Sequence, residues 1–317
     1  MTDNSGWGFE APGNPDALTE ITLPMPAPKA GELLVRVLAS AFNPIDTKIR
    51  AGLAPIAADN HIVGCDVCGE VVAVGEGVTD FQTGDRIYGC AGGVKGSSGT
   101  LCHYLTVDAA LMAKAPASLK AEQTAALPLI SITAYEALER LQLTADDSLL
   151  IMGGSGGVGQ MALQLAKLKG AVITATAGDD TRREKLIAMG ACALPHDAPE
   201  ANHYTKVLDT YGGASFQAAL VAAVSGAQVA TINARNTYDL TQAHAKSLTI
   251  HAVFMLLPLL TGKGRSEHGR FLSWLATEVD AGRVAAPEIE MCPASAVAEV
   301  HRRYEAGELK TKVVFTL

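Results

Sequence analysis

The spacing of apolar residues changes along this chain of 317 residues. Up to about residue 116, short runs of alternating apolar and polar residues are interrupted by glycine and proline, which predicts β-strands and turns. From Lys120 onward the apolar residues recur at helical spacing, and strand-like runs then alternate with helical runs. This alternation is typical of an α/β fold with a doubly wound parallel sheet.

Individual elements follow from the same pattern. In the first region we predict a short helix after Pro44, a mobile polar loop over 91–100, and strands over 32–39, 63–74, 86–90 and 101–107. In the second region we predict strands over 149–152, 171–175, 206–210, 228–233 and 248–254, and helices over 121–127, 132–141, 161–168, 182–189 and 215–224. The last part of the chain is predicted to form a helix, a strand, a helix and a strand over 267–281, 288–291, 294–306 and 312–316.

A glycine-rich turn follows the apolar run at 149–152 and precedes a helical pattern. It contains the spacing Gly154-x-Gly156-x-x-Gly159, in which the glycines allow a tight turn, a close approach to a diphosphate and close helix packing. We therefore predict that a dinucleotide pyrophosphate lies at the N-terminus of the helix. A tight turn without a ligand is the alternative. The residues predicted to bind the pyrophosphate are Gly154, Ser155, Gly156, Gly157, Val158 and Gly159.

Composition and charge narrow the classes of function. Hydrophobic residues make up 48% of the chain and charged residues 18%, which excludes disorder. The formal net charge of −8 argues against a nucleic acid or an anionic membrane as partner, because phosphates would be repelled. The longest apolar run, 252–260, is too short to cross a bilayer and contains Pro258, and the N-terminal residues do not resemble a secretory signal. We therefore expect a cytoplasmic protein.

Six cysteines in so long a chain do not indicate a disulfide framework. Cys65-x-x-Cys68 is compatible with a metal site, but residues three apart on a strand point to opposite faces. We therefore expect buried, unpaired thiols here. The alternative is a zinc site that also uses Cys90 or Cys102.

Several local motifs follow one another along the chain. They are Asn43-Pro-Ile-Asp46-Thr-Lys-Ile-Arg50; Gly64-x-Asp66-x-x-Gly69-x-Val71 with Gly84-Asp85; Ala126-Leu-Pro-Leu with Thr133-Ala134; the glycine turn; and Lys310-Thr-Lys312-Val-Val. These motifs resemble those of the medium-chain dehydrogenase/reductase superfamily, and within it the zinc-free quinone oxidoreductase and zeta-crystallin-like branch. The resemblance implies a GroES-like β domain over 1–120 that is completed by 257–317, a Rossmann domain over 121–256, and an active site in the cleft between them.

The resemblance also bears on a metal ion. Zinc alcohol dehydrogenases of this superfamily have ligands where Asn43, Cys65 and, approximately, Leu129 stand in this chain, and only Cys65 has a side chain of the usual ligating type. We therefore predict no metal, and hydride transfer to a quinone or an α,β-unsaturated carbonyl compound. Two alternatives stay open. One is a zinc-dependent alcohol dehydrogenase with ligands among Cys65, Cys68, Cys90 and Cys102; the other is a non-catalytic, NADPH-binding zeta-crystallin-like protein.

The segment after the second Rossmann strand bears on the choice of cofactor. An NAD site has an acidic residue at the end of this strand, whereas here Thr176 leads to Arg182. In similar NADPH-dependent reductases a basic residue at the position of Arg182 meets the 2′-phosphate, so NADPH is predicted. Asp179 and Asp180 weaken this argument, and a solvated first helical turn is the alternative.

The resemblance further implies contacts near the nicotinamide from Asn43, Thr133, Asn233 and Ala234. Asn43 could instead cap a turn, and Thr133 could instead cap a helix. Lys48 is the candidate donor to the oxygen that gains negative charge, with a solvated lysine as the alternative.

The apolar segment 247–257 is predicted to be the edge strand of the Rossmann sheet. An apolar edge aggregates unless it is paired, so the family's usual solution, a homodimer, is expected.

Overall fold

The computed structural model describes residues 4–317, and these form two compact units. Unit 1 contains the chain up to residue 129 together with 256–317, and unit 2 contains 130–255. The strands are β1 (Asn4–Gly8), β2 (Thr19–Leu23), β3 (Glu32–Ala41), β4 (Asp66–Val74), β5 (Arg86–Cys90), β6 (Tyr104–Asp108), β7 (Ala113–Lys114), β8 (Ser148–Met152), β9 (Val172–Thr176), β10 (Cys192–Leu194), β11 (Tyr204–Asp209), β12 (Ala223–Thr231), β13 (Thr249–Ala252), β14 (Ile289–Pro293) and β15 (Lys312–Thr316). The α-helices are α1 (Pro44–Arg50), α2 (Ala121–Ala125), α3 (Pro128–Arg140), α4 (Gly157–Leu168), α5 (Asp180–Ala188), α6 (Ala214–Ala222), α7 (Thr241–Ala245), α8 (Leu257–Thr261), α9 (Arg265–Asp280) and α10 (Val297–Glu305).

Unit 2 is built on one parallel sheet with the order β10-β9-β8-β11-β12-β13. The central strand β8 is apolar and buried on both faces, as parallel strands covered by helices are. Strand order reverses beside β8, where β9 lies on one side and β11 on the other. The predicted doubly wound parallel sheet is confirmed, and its carboxyl edge is where ligands of such folds bind.

Unit 1 is β-rich. Its main sheet has the order β14-β15-β3-β4-β5-β7, with β6 also paired to β3. The long strand β3 alternates buried and half-buried residues over its first half, which explains why its sequence reads as a strand. The C-terminal β15 pairs antiparallel with β3, so the end of the chain completes a sheet that begins near residue 32. This pairing brings residues far apart in sequence into contact.

Some boundaries differ from the sequence-based expectations. The strand expected over 63–74 begins only at Asp66, because Gly64 adopts a positive φ of 97° and turns the chain. The second of the two helices expected around Pro128 begins at Pro128 and not at 132, since proline fits the first turn, where its missing N–H costs nothing. Strand β12 begins directly after α6, five residues before the expected 228.

The segment 91–100 is not the exposed loop that its polar composition suggested. Its middle residue Val94 is fully buried and forms a bridge with Ala57. Gly99 lies so close to the backbone of Ile62 that a Cβ would stand 2.0 Å from its carbonyl oxygen. Close backbone packing, which polar composition does not reveal, therefore holds this segment.

No helix within residues 4–317 combines the length and the apolar character that a membrane span requires.

Candidate functional site

The glycine turn of unit 2 connects β8 to α4 at the carboxyl edge of the sheet. Gly153 has a φ of 85°, a conformation that side chains disfavour, and starts the turn. Two bonds tie the turn to the end of β9: Gly153 N–H donates to Thr176 Oγ1 at 3.0 Å, and Gly154 N–H donates to the Thr176 carbonyl at 2.8 Å. The turn is therefore held from the neighbouring strand before any ligand binds.

The three motif glycines differ in what surrounds them. A Cβ on Gly159 would stand 2.3 Å from the Gly153 carbonyl oxygen, and one on Gly154 would stand 2.6 Å from Ala175 Cβ, so both are required by internal packing. A Cβ on Gly156 would meet only the Gly153 oxygen, at an ordinary 3.5 Å, and its φ of −74° suits any residue. The fold itself therefore does not require glycine at position 156.

An external reason for Gly156 is a ligand that approaches the backbone more closely than a side chain would allow. Gly156 is exposed and is the N-cap residue of α4, a helix of 12 residues. Within the described chain its cap has no side-chain acceptor, and the first turn of α4 has no acidic residue. The exposed N-terminal amides of α4 therefore fit a dinucleotide pyrophosphate.

Thr176 lies at the end of β9 and is fully buried. Besides the bond from Gly153, its hydroxyl pairs with His196 Nδ1 at 2.9 Å. The imidazole of His196 also packs edge-on against Tyr211, with ring centroids 5.6 Å apart. Thr176 thus shapes the turn, and its predicted contact with a cofactor stays a prediction.

Arg182 occupies the first turn of α5, whose N-cap is Asp179. Asp179 Oδ1 accepts the Arg182 N–H at 2.8 Å, and its second oxygen lies 3.3 Å from Arg182 Nε. Asp180 pairs with Arg183. Both acidic residues that complicated the choice of cofactor are therefore engaged by arginines at the start of this helix.

The loops after β11 and β12 are joined by a buried carboxylate. Asp209 accepts the Gly212 N–H at 2.8 Å and the Thr231 hydroxyl at 2.7 Å. Asn233, two residues beyond β12, donates from Nδ2 to the Tyr211 carbonyl at 2.7 Å. Ala234 follows and is exposed. These two predicted contact residues therefore lie on a braced loop at the carboxyl edge of the sheet.

Thr133 is the sixth residue of α3 and is buried. The alternative that it caps a helix is wrong, because α3 begins at Pro128 and Thr133 lies inside it. Its predicted proximity to a nicotinamide stays a prediction.

Unit 1 contains a buried polar cluster centred on Asn43, Asp66 and Lys312. Asn43 is fully buried; its Nδ2 donates to Asp66 Oδ2 at 2.9 Å, and its Oδ1 accepts from Lys312 Nζ. The other oxygen of Asp66 accepts the Leu129 N–H at 2.9 Å. Lys312 Nζ also donates to the Phe42 carbonyl at 2.8 Å. Both polar ends of the Asn43 side chain therefore have partners inside unit 1.

A second carboxyl group, Asp46, completes the cluster. Its Oδ2 accepts the Asn43 N–H at 2.8 Å, since Asn43 is the N-cap residue of α1, and its Oδ1 lies 3.5 Å from Cys65 Sγ. Burial raises the pKa of Asp46 to about 7, against the lowering effect of the Asn43 N–H and the Lys312 ammonium. Burial likewise raises the pKa of Asp66, and Lys312 opposes that shift.

The cysteines near this cluster carry no disulfide. Cys65, Cys68, Cys90 and Cys102 are all buried free thiols. The Cys90 thiol and burial raise the pKa of Cys65, and burial raises that of Cys68 to about 12. Across residues 4–317 no group of three or more histidine, cysteine or acidic side chains is arranged to hold a metal ion. Lys48, the other candidate catalytic residue, is partly exposed on α1.

Sequence reasoning missed His196, Asp209 and the contact of Lys312 with Asn43. A lone histidine after a short strand and a lone aspartate ending a strand carry no spacing signal. The closing lysine was noticed as part of a motif, but its partner lies 269 residues away.

Comparisons with known proteins agree with this architecture. The alcohol dehydrogenase GroES-like domain model matches residues 29–117. A zinc-type alcohol dehydrogenase-like protein of Staphylococcus epidermidis is 29% identical over 94% of both chains. A chloroplastic quinone-oxidoreductase homolog of Spinacia oleracea is 39% identical over 55% of this chain and 54% of its own length.

A solved structure adds a match over the whole chain. The alcohol dehydrogenase superfamily protein from Novosphingobium aromaticivorans has 32% identity and a TM-score of 0.91, and the match covers 100% of both chains. The GroES-like and Rossmann fold that the sequence predicted is therefore confirmed. The chain belongs to the alcohol dehydrogenase superfamily of medium-chain dehydrogenases and reductases.

Proposed function

We propose that this protein is an NADPH-dependent reductase that transfers hydride to a quinone or an α,β-unsaturated carbonyl compound without a metal ion. The observation that carries the nucleotide part is Gly156, a glycine that internal packing does not require, at the exposed N-terminus of α4. When bound, the reduced nicotinamide supplies the hydride.

In this proposal the chain's own residues bind the nucleotide and orient the acceptor. The N-terminal amides of α4 hold the diphosphate, and the guanidinium of Arg182 meets the 2′-phosphate. Asp179 is compatible with this preference, because its carboxylate caps α5 and pairs with Arg182. Lys48 donates to the acceptor oxygen as negative charge develops on it.

The side chains around Asn43 do not fit a catalytic zinc ion. The Asn43 oxygen accepts from an ammonium group, its nitrogen donates to a carboxylate, and Leu129 carries no donor atom in its side chain. Of the family's three ligand positions only Cys65 has a suitable side chain, and burial raises its pKa. The similarity to a zinc-type relative is therefore not matched by a zinc ligand set, and hydride transfer to an activated acceptor is the better assignment.

Stopped-flow measurement of NADPH absorbance tests this function. With 1,4-benzoquinone and with 3-buten-2-one as separate acceptors, we expect oxidation of NADPH that is saturable in acceptor and unchanged by prior dialysis against EDTA. Faster oxidation of NADH than of NADPH would contradict the cofactor assignment. Absence of turnover with either acceptor, despite saturable NADPH binding, would favour the non-catalytic alternative.

We also propose that the protein is cytoplasmic and forms a homodimer. Strand β13 lies at the edge of the unit 2 sheet and is paired only with β12 among the strands described, and Ile250 on it is 37% exposed. An exposed apolar edge of this kind supports pairing with a second copy.

A further inference from the structure

His196 follows β10 and lies beside the glycine turn of unit 2. Its Nδ1 atom is 2.9 Å from the hydroxyl oxygen of Thr176, and the same oxygen accepts the Gly153 N–H at 3.0 Å. The Thr176 hydroxyl therefore connects the imidazole of His196 to the residue that starts the turn.

The hydrogen-bonding capacity of this hydroxyl fixes the direction of its bond with His196. A hydroxyl group has one hydrogen to donate and two lone pairs. One lone pair accepts the Gly153 N–H, and within residues 4–317 the acceptor that remains for the hydrogen is His196 Nδ1. Thr176 is fully buried, and a buried donor without an acceptor is unfavourable. Thr176 therefore donates to Nδ1, and the imidazole is neutral with its hydrogen on Nε2.

The ring of Tyr211 provides a second connection between His196 and the turn. It packs edge-on against the imidazole, and a Cβ on Gly153 would stand 2.7 Å from Cε2 of this ring. Gly153 thus has both Thr176 and Tyr211 as neighbours, and His196 contacts both of these residues.

Titratable and charged groups reach the surroundings of the imidazole from three places. Tyr211 follows β11, and Asp197 follows His196 in the chain. The loop between β9 and α5 faces the imidazole, since a Cβ on Gly178 would stand 3.5 Å from His196 Nε2. The charged residues where this loop enters α5 pair with one another and are Asp179, Asp180, Arg182 and Arg183. His196 itself is half-buried, so solvent protons can reach its ring.

We propose that His196 is a positioning residue of the nucleotide site: as a neutral imidazole it orients the Thr176 hydroxyl, which holds the Gly153 N–H and with it the turn that leads to α4. Protonation places a hydrogen on Nδ1, so the ring no longer accepts from Thr176 and the turn loses this support. The role rests on the nucleotide-binding part of the proposed function and adds a pH dependence to it.

Titration with ADP-ribose tests this role, because ADP-ribose carries the diphosphate but neither the 2′-phosphate nor the nicotinamide. Its diphosphate stays ionised between about pH 5.5 and about pH 8, the range in which histidine side chains change charge. We expect the Kd of wild type to be about threefold to tenfold higher at the lower pH, the size of one lost hydrogen bond. Isothermal titration calorimetry measures the Kd.

Two substitutions of His196 separate the loss of the hydrogen bond from the gain of charge. His196→Leu removes the acceptor and should raise the Kd about threefold to tenfold even at about pH 8. His196→Asn places an amide oxygen near the position of Nδ1 and takes up no proton. Its Kd should therefore match that of wild type at about pH 8 and stay at that value at about pH 5.5.

His203→Asn is the matched control. His203 is exposed and precedes β11, at the opposite edge of the sheet from the glycine turn. This variant should keep the pH dependence of wild type.

The Thr176 hydroxyl allows a second test of the same connection. Thr176→Val removes the hydroxyl, and combining it with His196→Leu should add no further loss of affinity, because both substitutions break one link. Thr176→Ser keeps the hydroxyl and should keep the affinity of wild type. Without nucleotide, hydrogen exchange of the Gly153 amide should be faster in His196→Leu than in wild type.

Equal affinities of wild type and His196→Leu, or a pH dependence that His196→Asn retains in full, would overturn the role of His196 and leave the proposed function intact. A wild type that binds no ADP-ribose would instead contradict the nucleotide site itself. Hydrogen exchange of Gly153 would then decide alone whether His196 holds the turn.

Discussion

At the scale of single residues, position in the fold decides what a glycine does. Gly154 and Gly159 are confined by neighbouring atoms, whereas Gly156 faces open space at the start of α4. The sequence motif alone does not distinguish the three glycines. Only their surroundings separate the two that build the turn from the one to which we assign a ligand contact.

Gly156→Ala should therefore weaken nucleotide binding without weakening the fold. We expect the NADPH Kd to rise at least about tenfold, which is about 1.4 kcal/mol, because the added methyl group occupies the place of the diphosphate. The free energy of unfolding should change by less than about 1 kcal/mol. Fluorescence titration and denaturant unfolding measure the two quantities.

Gly159→Ala is the matched comparison. Its Cβ would stand 2.3 Å from a carbonyl oxygen, so we expect a loss of about 1–3 kcal/mol in the free energy of unfolding. Equal loss of stability in both variants, or unchanged NADPH binding by Gly156→Ala, would contradict the roles assigned to these glycines.

His301 links stability to pH. It is 1% exposed on α10, and within residues 4–317 neither ring nitrogen has a hydrogen-bond partner. Burial, together with the nearby Arg50 guanidinium, lowers its pKa to about 3 from 6.5. Because the unfolded chain takes up the proton first, the stability that neutral His301 contributes is complete above pH 6.5 and is lost as the pH falls toward 3.

We expect His301 to contribute a fall in the free energy of unfolding below pH 6.5 of up to about 1.4 kcal/mol per pH unit. In wild type the raised pKa of Asp46, about 7, acts in the opposite direction, so the His301 contribution is the difference between wild type and a His301 variant. His301→Leu should remove this contribution, and exposed His244→Gln should not. Denaturant unfolding at pH 7 and pH 5 provides the comparison. Identical pH slopes for wild type and His301→Leu would show that another group is responsible.

At the scale of elements, the start of α5 contains both the N-cap of the helix, Asp179, and the residue proposed to select the cofactor, Arg182. Asp179 ends the loop after β9, caps the helix and faces Arg182. The N-terminal amides of α5 and the Arg182 guanidinium suit a phosphate, and Asp179 and Asp180 pair with Arg182 and Arg183 beside them. The proposed preference for NADPH therefore depends on an element boundary as well as on one side chain.

Arg182→Ala should raise the Kd for NADPH roughly tenfold to hundredfold, because a charge-assisted contact to the 2′-phosphate is lost. The Kd for NADH, which has no 2′-phosphate, should change little. Lys185→Ala removes one positive charge from the same helix and is the control. Equal weakening of both nucleotides by Arg182→Ala would exclude a specific phosphate contact.

At the scale of the whole molecule, the predicted homodimer depends on the exposed edge of the unit 2 sheet. Strand β13 has an unpaired side within the described structure, and Phe254 just beyond it is 44% exposed.

We expect Ile250→Lys to convert a dimer to a monomer, because a charge on an edge strand prevents pairing. Sedimentation velocity measures the mass. A wild type that is already monomeric at micromolar concentration would refute the predicted homodimer.

The sequence by itself determined the alternation of strands and helices in unit 2 and the turn between β8 and α4. These features depend on local periodicity and on successive glycines two and three positions apart, which neighbouring residues in the chain specify. Helix α3 shows the limit of local patterns, because its apolar spacing predicts a start at 132 whereas the helix begins at Pro128.

Only the tertiary structure decided the partners of Asn43. In sequence it is an asparagine before a proline, and both a turn cap and a ligand contact were open. In the fold, β15 pairs with β3 and brings Lys312 to an asparagine 269 residues earlier, where both meet Asp66 at the start of β4. A buried charge requires a partner, and that partner can come from any position in the sequence. The periodicity of apolar residues therefore does not predict which residues pair.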